Sequence, residues 1–215
     1  MRSEIDAILF DNDGVLVDTE PLFLQANREM LASVSIEIDT DEYRDISLRQ
    51  GRSIMDLFAE RGAGRAEIDA LRERRNARYA ELIEQGVTIR NGALEVLARL
   101  HGVLPMAIVT SSYRHHFELT HQQTGFLRYF EFCLTNGDYE RHKPHPEPYL
   151  KAAERLGVAP RRCLVLEDSE RGLQAAAAAG MRCVVVPTEL TAASDFSAAE
   201  RVLRSLAELL PLLGA

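Results

Sequence analysis

The chain predicts an α/β fold, a doubly wound parallel sheet carrying an inserted all-helical block. Two observations predict it. Five short apolar runs recur between segments of helical period, and the stretch separating the first run from the others holds helical patterns alone. Strands that alternate with helices are joined by crossovers, which gives parallel pairing with right-handed connections.

The first strand covers 5–10, where Ile5, Ala7, Ile8, Leu9 and Phe10 form the apolar run of a strand buried on both faces. It stops at Asp11, and Gly14 supplies the backbone freedom for the chain to turn away. After Val17 the period changes. Leu22, Phe23, Ala26, Met30 and Leu31 recur at helical spacing, with Pro21 suited to a first helical turn. Further helices are predicted over 41–47, 53–60 and 66–84; Gly62 and Gly64 separate the last two, and Ile68, Leu71, Tyr79, Leu82 and Ile83 stripe the longest. This block defines a helical cap domain over 16–85, leaving 1–15 and 86–215 as the core domain.

From Gly86 onward the alternation is regular. Helices are expected over 91–100, 113–124 and 146–156, and strands over 103–109, 130–134 and 163–166. The alanines at 175–179 continue a helix stopped by Gly180, the residues 183–186 form the last strand, and a final amphipathic helix is expected over 197–210. In such a sheet, ligands bind beyond the carboxyl ends of the strands, where strand order reverses.

Composition narrows the function classes. At 215 residues, 46% hydrophobic and 27% charged, the chain is long and apolar enough for a sizeable core, which excludes disorder. Its 25 Lys and Arg against 33 Asp and Glu leave a net charge of -8, which disfavours nucleic-acid or anionic-membrane partners. An anionic ligand therefore needs a locally positive pocket. Cys133, Cys163 and Cys183 are odd in number and lie in or beside apolar runs, as buried reduced thiols do. Residues 1–4 lack the apolar core of a signal peptide, and no run approaches the ~18 to 20 apolar residues of a membrane span. A cytoplasmic protein, monomeric or a weak homodimer, is expected.

Four polar clusters follow the strands. Asp11 and Asp13 bracket one residue, and like charges so close are most easily explained by a cation between them; hard oxygen ligands favour magnesium. The bland alternative is an acidic turn. Thr110 ends an apolar run, and its hydroxyl with the amides of Ser111 and Ser112, expected at the start of the next helix, makes a phosphate cradle or, equally, a helix cap. Lys143 lies in His142-Lys143-Pro144-His145-Pro146, where the prolines stiffen a loop that can aim one ammonium at a phosphoryl group. His142 and His145 lack partner ligands and read as loop residues. Glu167-Asp168-Ser169 follows the fourth run and leads into Arg171-Gly172-Leu173, a pattern that also suits an acidic helix N-terminus.

Asp11-x-Asp13-Gly14-Val15 with Asp18-Thr19-Glu20, then Thr110, then Lys143-Pro-x-Pro, then Glu167-Asp168, resemble in order the four motifs of the haloacid dehalogenase (HAD) superfamily, phosphatase and phosphomutase branch. The resemblance covers the whole chain. It implies that Asp11 attacks phosphorus to form an aspartyl phosphate, and that Asp13 protonates the leaving oxygen and then deprotonates water. It further implies that Lys143 and magnesium offset phosphoryl charge, with Asp11, the Asp13 carbonyl and Asp168 as metal ligands and Glu167 acting on Asp168 or on a metal-bound water.

Within that superfamily, carbon-halogen hydrolases lack the second acid of the first motif, so Asp13 and Gly14 argue against dehalogenation. Beta-phosphoglucomutase is similar at Asp18, Thr19 and Arg75-Asn76-Ala77-Arg78-Tyr79, but its cap histidine corresponds to Phe23 and its distal-phosphate cation to Ile54, with Arg49 or Arg52 as possible substitutes. Losing those parts favours hydrolysis. The expectation is a magnesium-dependent phosphomonoesterase acting on a small phosphorylated metabolite, a sugar phosphate among the candidates. A mutase is the first alternative and a non-catalytic binder the second. Phe23, Arg49, Arg52 and Arg75 are expected to set specificity.

Overall fold

The structure, a computed structural model, describes residues 4–214; Met1, Arg2, Ser3 and Ala215, which the sequence-based core includes, lie outside them. The chain runs β1 (Ala7–Phe10), β2 (Val17–Asp18), α1 (Glu20–Ala32), α2 (Thr40–Tyr43), a π-helical segment Arg44–Arg49, α3 (Asp56–Glu60), α4 (Arg65–Gln85) and β3 (Thr88–Ile89). It continues through α5 (Ala93–Leu100), β4 (Met106–Tyr113), α6 (Arg114–Thr124), β5 (Phe132–Asn136), α7 (Glu147–Leu156), β6 (Cys163–Glu167), α8 (Glu170–Ala178), β7 (Arg182–Val185), β8 (Arg201–Val202) and α9 (Leu209–Leu213).

A parallel six-stranded sheet, ordered β5-β4-β1-β6-β7-β8, is the centre of the fold. Strand β1 has neighbours on both sides and is buried at every position, which explains its unbroken apolar run. Alternate residues feed two cores. Ile8, Phe10, Ile108, Leu164 and Leu166 join Val96, Leu97 and Phe117 on one face, while Leu9, Val109, Val165 and Val185 join Tyr149, Ala152 and Leu173 on the other. Strand order reverses about β1, so the ends of β1, β4 and β6 converge on one crevice.

Helices α1 and α4 pack on each other, and the helical layer has an apolar cluster of its own around Leu31, Tyr43, Met55 and Leu71. A second cluster, with Tyr79, Leu82 and Ile83, takes in Leu119 from α6 and so ties this layer to the sheet domain. The chain crosses between them through a two-residue antiparallel ribbon, Val17 opposite Ile89 and Asp18 opposite Thr88, which the apolar periodicity does not mark.

Four expectations need correction. Strand β4 starts at Met106, because residues 101–104 form a turn closed by Val103 N–H donating to the Leu100 carbonyl at 2.9 Å. It runs on to Tyr113, which pairs with Asn136 after a shift of register, so Ser111 and Ser112 end a strand and do not begin a helix. The third is the helix expected over 197–210. There, β8 adds a sixth strand beside β7, and only Leu209–Leu213 is α-helical. Leu203, Leu206, Leu209 and Leu213 all reach the same core, so their spacing reports a buried side that a partly extended chain also satisfies. The 41–47 helix is split into α2 and the π-helical segment.

Cys163 and Cys183 are buried and Cys133 is half-buried, none in a disulfide; burial pushes the Cys163 thiol up to about 11. No helix among the described residues is long and apolar enough to cross a membrane.

Candidate active site

The carboxyl ends of the central strands set the floor of a cavity of about 260 Å³ between the sheet and the helical layer. Asp11 follows β1, its amide donating to the Leu166 carbonyl at 2.9 Å, so the ladder of the sheet carries it to a defined place. Lys143 arrives from the proline-rich loop. Its ammonium donates to Asp11 Oδ1 at 2.6 Å, Glu167 Oε1 at 2.7 Å and the Val109 carbonyl at 2.9 Å. Burial opposes this charge, but Asp11 and Glu167 outweigh it and hold the lysine above its ordinary range.

Asp13 points to a different wall. Its Oδ2 accepts from Thr110 Oγ1 at 2.9 Å and Ser112 Oγ at 2.7 Å, and its Oδ1 from the Thr19 hydroxyl. The Ser112 amide donates in turn to Thr110 Oγ1 at 3.0 Å, which orients that hydroxyl. Directly after Asp13 the backbone turns at Gly14, where φ is +84° and a Cβ would collide with Asp168 Oδ2.

Asp11, Glu167 and Asp168 each offer a carboxylate oxygen to one point, these atoms lying within 4.8 Å of one another. Their commitments differ. Glu167 is saturated: Oε1 takes Lys143 and the Tyr149 hydroxyl at 2.6 Å, and Oε2 takes the Asp168 amide at 3.1 Å and the Ser169 hydroxyl at 3.0 Å. A Cβ on Gly172 would lie 1.8 Å from Glu167, so the first turn of α8 closes directly over this carboxylate. Asp168, by contrast, accepts no side-chain hydrogen bond among the described residues, nor does Asp11 Oδ2. Burial pushes the carboxyls of Asp11 and Asp168 well above the ordinary range; Lys143 works against the shift at both, and Glu167 adds to it. Buried, uncommitted oxygens on neighbouring acids fit a hard divalent cation. Asp11 and Asp168 are the direct donors this arrangement leaves free, together with the Asp13 carbonyl, which accepts no hydrogen bond among the described residues. The Asp13 carboxylate is taken up by hydroxyls.

The helical layer supplies the roof. Phe23 lines the cavity, and Arg75 lies behind it, its guanidinium 4.4 Å from the ring centroid and bonded to Asn27 and Asn76 at 3.0 and 2.9 Å. Arg75 is thus a brace for the wall and not part of its surface. Arg49 and Arg52 are elsewhere. They stay on the outer face with acids of their own segment, Arg49 with Asp45 at 3.4 Å and Arg52 with Glu60 at 2.7 Å, as long charged chains with helical partners do. Ser47 and Leu48 take the places expected for them, and Ser111 lines the opposite side.

Sequence reasoning missed Glu20, Tyr79, His116 and Arg171, all of which line the cavity. Glu20 accepts from the Tyr43 hydroxyl, and burial pushes its carboxyl up to about 7, with Asp13 and Asp18 adding to the shift. His116 sets Nε2 at 3.1 Å from the Asn76 carbonyl, and burial lowers its pKa. Glu20 and Arg171 stand inside stretches with a recognisable pattern; His116 sits in a helix with no signal.

Comparison with known proteins agrees with this geometry. The family model of haloacid dehalogenase-like hydrolases matches residues 5–180, which contain every floor residue above. The chain belongs to the haloacid dehalogenase-like hydrolases. Among these hydrolases it is 34% identical over 210 residues to Protein CbbY of Rhodobacter capsulatus, covering 92% of each chain. It is 32% identical over 187 residues to the fructose-1-phosphate phosphatase YqaB of Escherichia coli, covering 86% of this chain and 98% of that protein. The crystal structure of CbbY from Rhodobacter sphaeroides in complex with phosphate superposes with a TM-score of 0.83 at 29% identity, over 98% of this chain and 100% of that one.

Proposed function

We propose that the protein is a magnesium-dependent phosphatase that hydrolyses a small phosphomonoester, a sugar phosphate, through an aspartyl-phosphate intermediate. The observation that carries this reading is the junction of Asp11, Lys143, Glu167 and Asp168, in which one ammonium organises two carboxylates and a third remains free of donors. Asp11 attacks phosphorus while Lys143 holds its carboxylate in place and offsets charge on the phosphoryl oxygens. Asp13, set by three hydroxyls on the neighbouring wall, protonates the leaving oxygen and then takes a proton from the water that releases phosphate. Magnesium, held by Asp11, Asp168 and the Asp13 carbonyl with Glu167 behind them, would neutralise charge on the phosphoryl group.

The helical layer acts as a cap that excludes bulk water over the substrate, with residues 16–85 as its extent. The similarity to a fructose-1-phosphate phosphatase supports a sugar phosphate. Arg49 and Arg52 lie outside the cavity, which removes the two cations that would replace the mutase's distal-phosphate grip and so favours hydrolysis. A small phosphorylated metabolite is the partner, and a cytoplasmic monomer or weak homodimer belongs to the same proposal.

The test is a panel of phosphorylated metabolites with and without magnesium, run on the protein and on Asp11→Asn. Turnover that needs magnesium and disappears in a folded Asp11→Asn supports the reading; turnover retained by the variant overturns it.

A further inference from the structure

Arg171 is, with Lys143, one of two arginine or lysine side chains among the described residues that line the cavity. The two are not equivalent. Lys143 is fully occupied by Asp11, Glu167 and Val109. A guanidinium carries five N–H donors, and Arg171 makes a single hydrogen bond among the described residues, from Nη2 to the Lys143 carbonyl. Its other N–H donors have no hydrogen-bond partner among the described residues, and the side chain lines the cavity. The other basic side chains near the wall among the described residues are less suited: burial lowers the pKa of His116, and Arg75 is screened by Phe23.

The position of Arg171 is also defined from two sides. The Lys143 loop holds it on the core side, and on the helical side Gly51 comes so near that a Cβ there would lie 2.4 Å from the guanidinium carbon. A side chain at residue 51 would have to displace the guanidinium from this place. The Lys143 side chain, roughly 6 Å from backbone to ammonium, separates the carbonyl touched by Arg171 from the contact with Asp11. A phosphoryl group at Asp11 and an anion at Arg171 are therefore a few bonds apart along a small molecule. The cavity, just below the ~300–1,000 Å³ usual for ligand pockets, admits nothing much larger.

We infer that Arg171 is a specificity-determining residue that binds a second anionic group, a carboxylate or a second phosphate, on the substrate whose phosphoryl group meets Asp11. The inference rests on the phosphatase reading above and narrows it to substrates with two anions. A planar guanidinium with free donors matches both groups, and charge-assisted bonds to it strengthen in a partly buried site.

The experiment compares matched substrates: glycerol phosphate against phosphoglycerate, and a hexose monophosphate against the corresponding hexose bisphosphate. The protein is expected to favour at least one doubly anionic member in kcat/KM, and which pair shows the preference identifies the group. Arg171→Gln should lower kcat/KM for that member ~10- to 100-fold more than for its singly anionic partner, mainly through KM, with Arg171→Lys intermediate. Equal losses for both partners would mean that Arg171 only supports the Lys143 loop, and the inference fails. It fails also when the unmodified protein shows no preference, although the phosphatase reading then stands. Calorimetric binding of the same four compounds to Asp11→Asn, with and without Arg171→Gln, gives a readout independent of turnover. A preference for two anions that vanishes with Arg171 supports the inference, and its absence refutes it.

Discussion

Gly14 and Asp168 meet across the floor of the cavity so closely that a Cβ on the glycine would stand 2.2 Å from Asp168 Oδ2. The first and fourth motifs are thereby packed directly on each other. Gly14→Ala is expected to destabilise the protein by about 1–2 kcal/mol through its positive φ alone. It should also lower kcat at least tenfold by displacing Asp168. A variant with parental kcat would show that the contact is slack.

Asp168 carries a buried carboxylate that no hydrogen bond supports. In metal-free buffer, Asp168→Asn should therefore melt at or above the parental temperature, since it removes an uncompensated charge. Magnesium reverses the order. At a hundredfold excess over its dissociation constant the ion should stabilise the parent by about 2.7 kcal/mol and the variant much less, which thermal melts with and without chelator measure directly.

Lys143 holds two buried carboxylates at once. Lys143→Met leaves both without a countercharge, for an expected loss of about 3–5 kcal/mol in urea unfolding. Adding Asp11→Asn to that variant should restore part of the loss, because one of the two abandoned charges is then gone. Strict additivity of the two substitutions would contradict the coupling.

His121 governs part of the acid response. It is buried, with Nε2 at 2.8 Å from Asn12 Oδ1 and Nδ1 at 2.8 Å from the Thr124 hydroxyl, contacts that a neutral imidazole satisfies by donating to one and accepting from the other. Burial lowers its pKa from 6.5 to about 4, with Asp13 acting in the opposite sense. The folded value lies below the unfolded one, so the contribution is complete above pH 6.5 and is lost as pH falls through 4. Unfolding free energy should drop by about 3 kcal/mol across that window, and His121→Gln should flatten the slope there.

What the sequence could reveal depended on whether a residue's role was local. Asp11, Lys143 and Asp168 sit at the ends of apolar runs or in a proline-stiffened loop, so their neighbours in the chain already mark them. Ser47, Leu48 and His116 do not. They reach the cavity through the packing of one layer on another, and a helix face turned to a cavity reads like a helix face turned to solvent. Arg49 and Arg52 failed for the same reason in reverse: a basic residue near a phosphate site is a fair candidate until an acid four residues before it, or four and eight after it, is seen to hold it. At the carboxyl end of the chain, leucines spaced about three apart served a core that accepts them from a strand and a turn as readily as from a helix.

Strand β1 is hydrogen-bonded to neighbours along both edges, while the helical layer joins the sheet domain through a ribbon two residues long on each side. The amides of Ile8 and Leu9 should consequently exchange with solvent only when the entire molecule unravels, and those of the ribbon through small local openings. The carboxylate proposed to attack phosphorus thus keeps its coordinates from one turnover to the next, and mutations accumulating overhead can retarget the enzyme without retuning the reaction underneath.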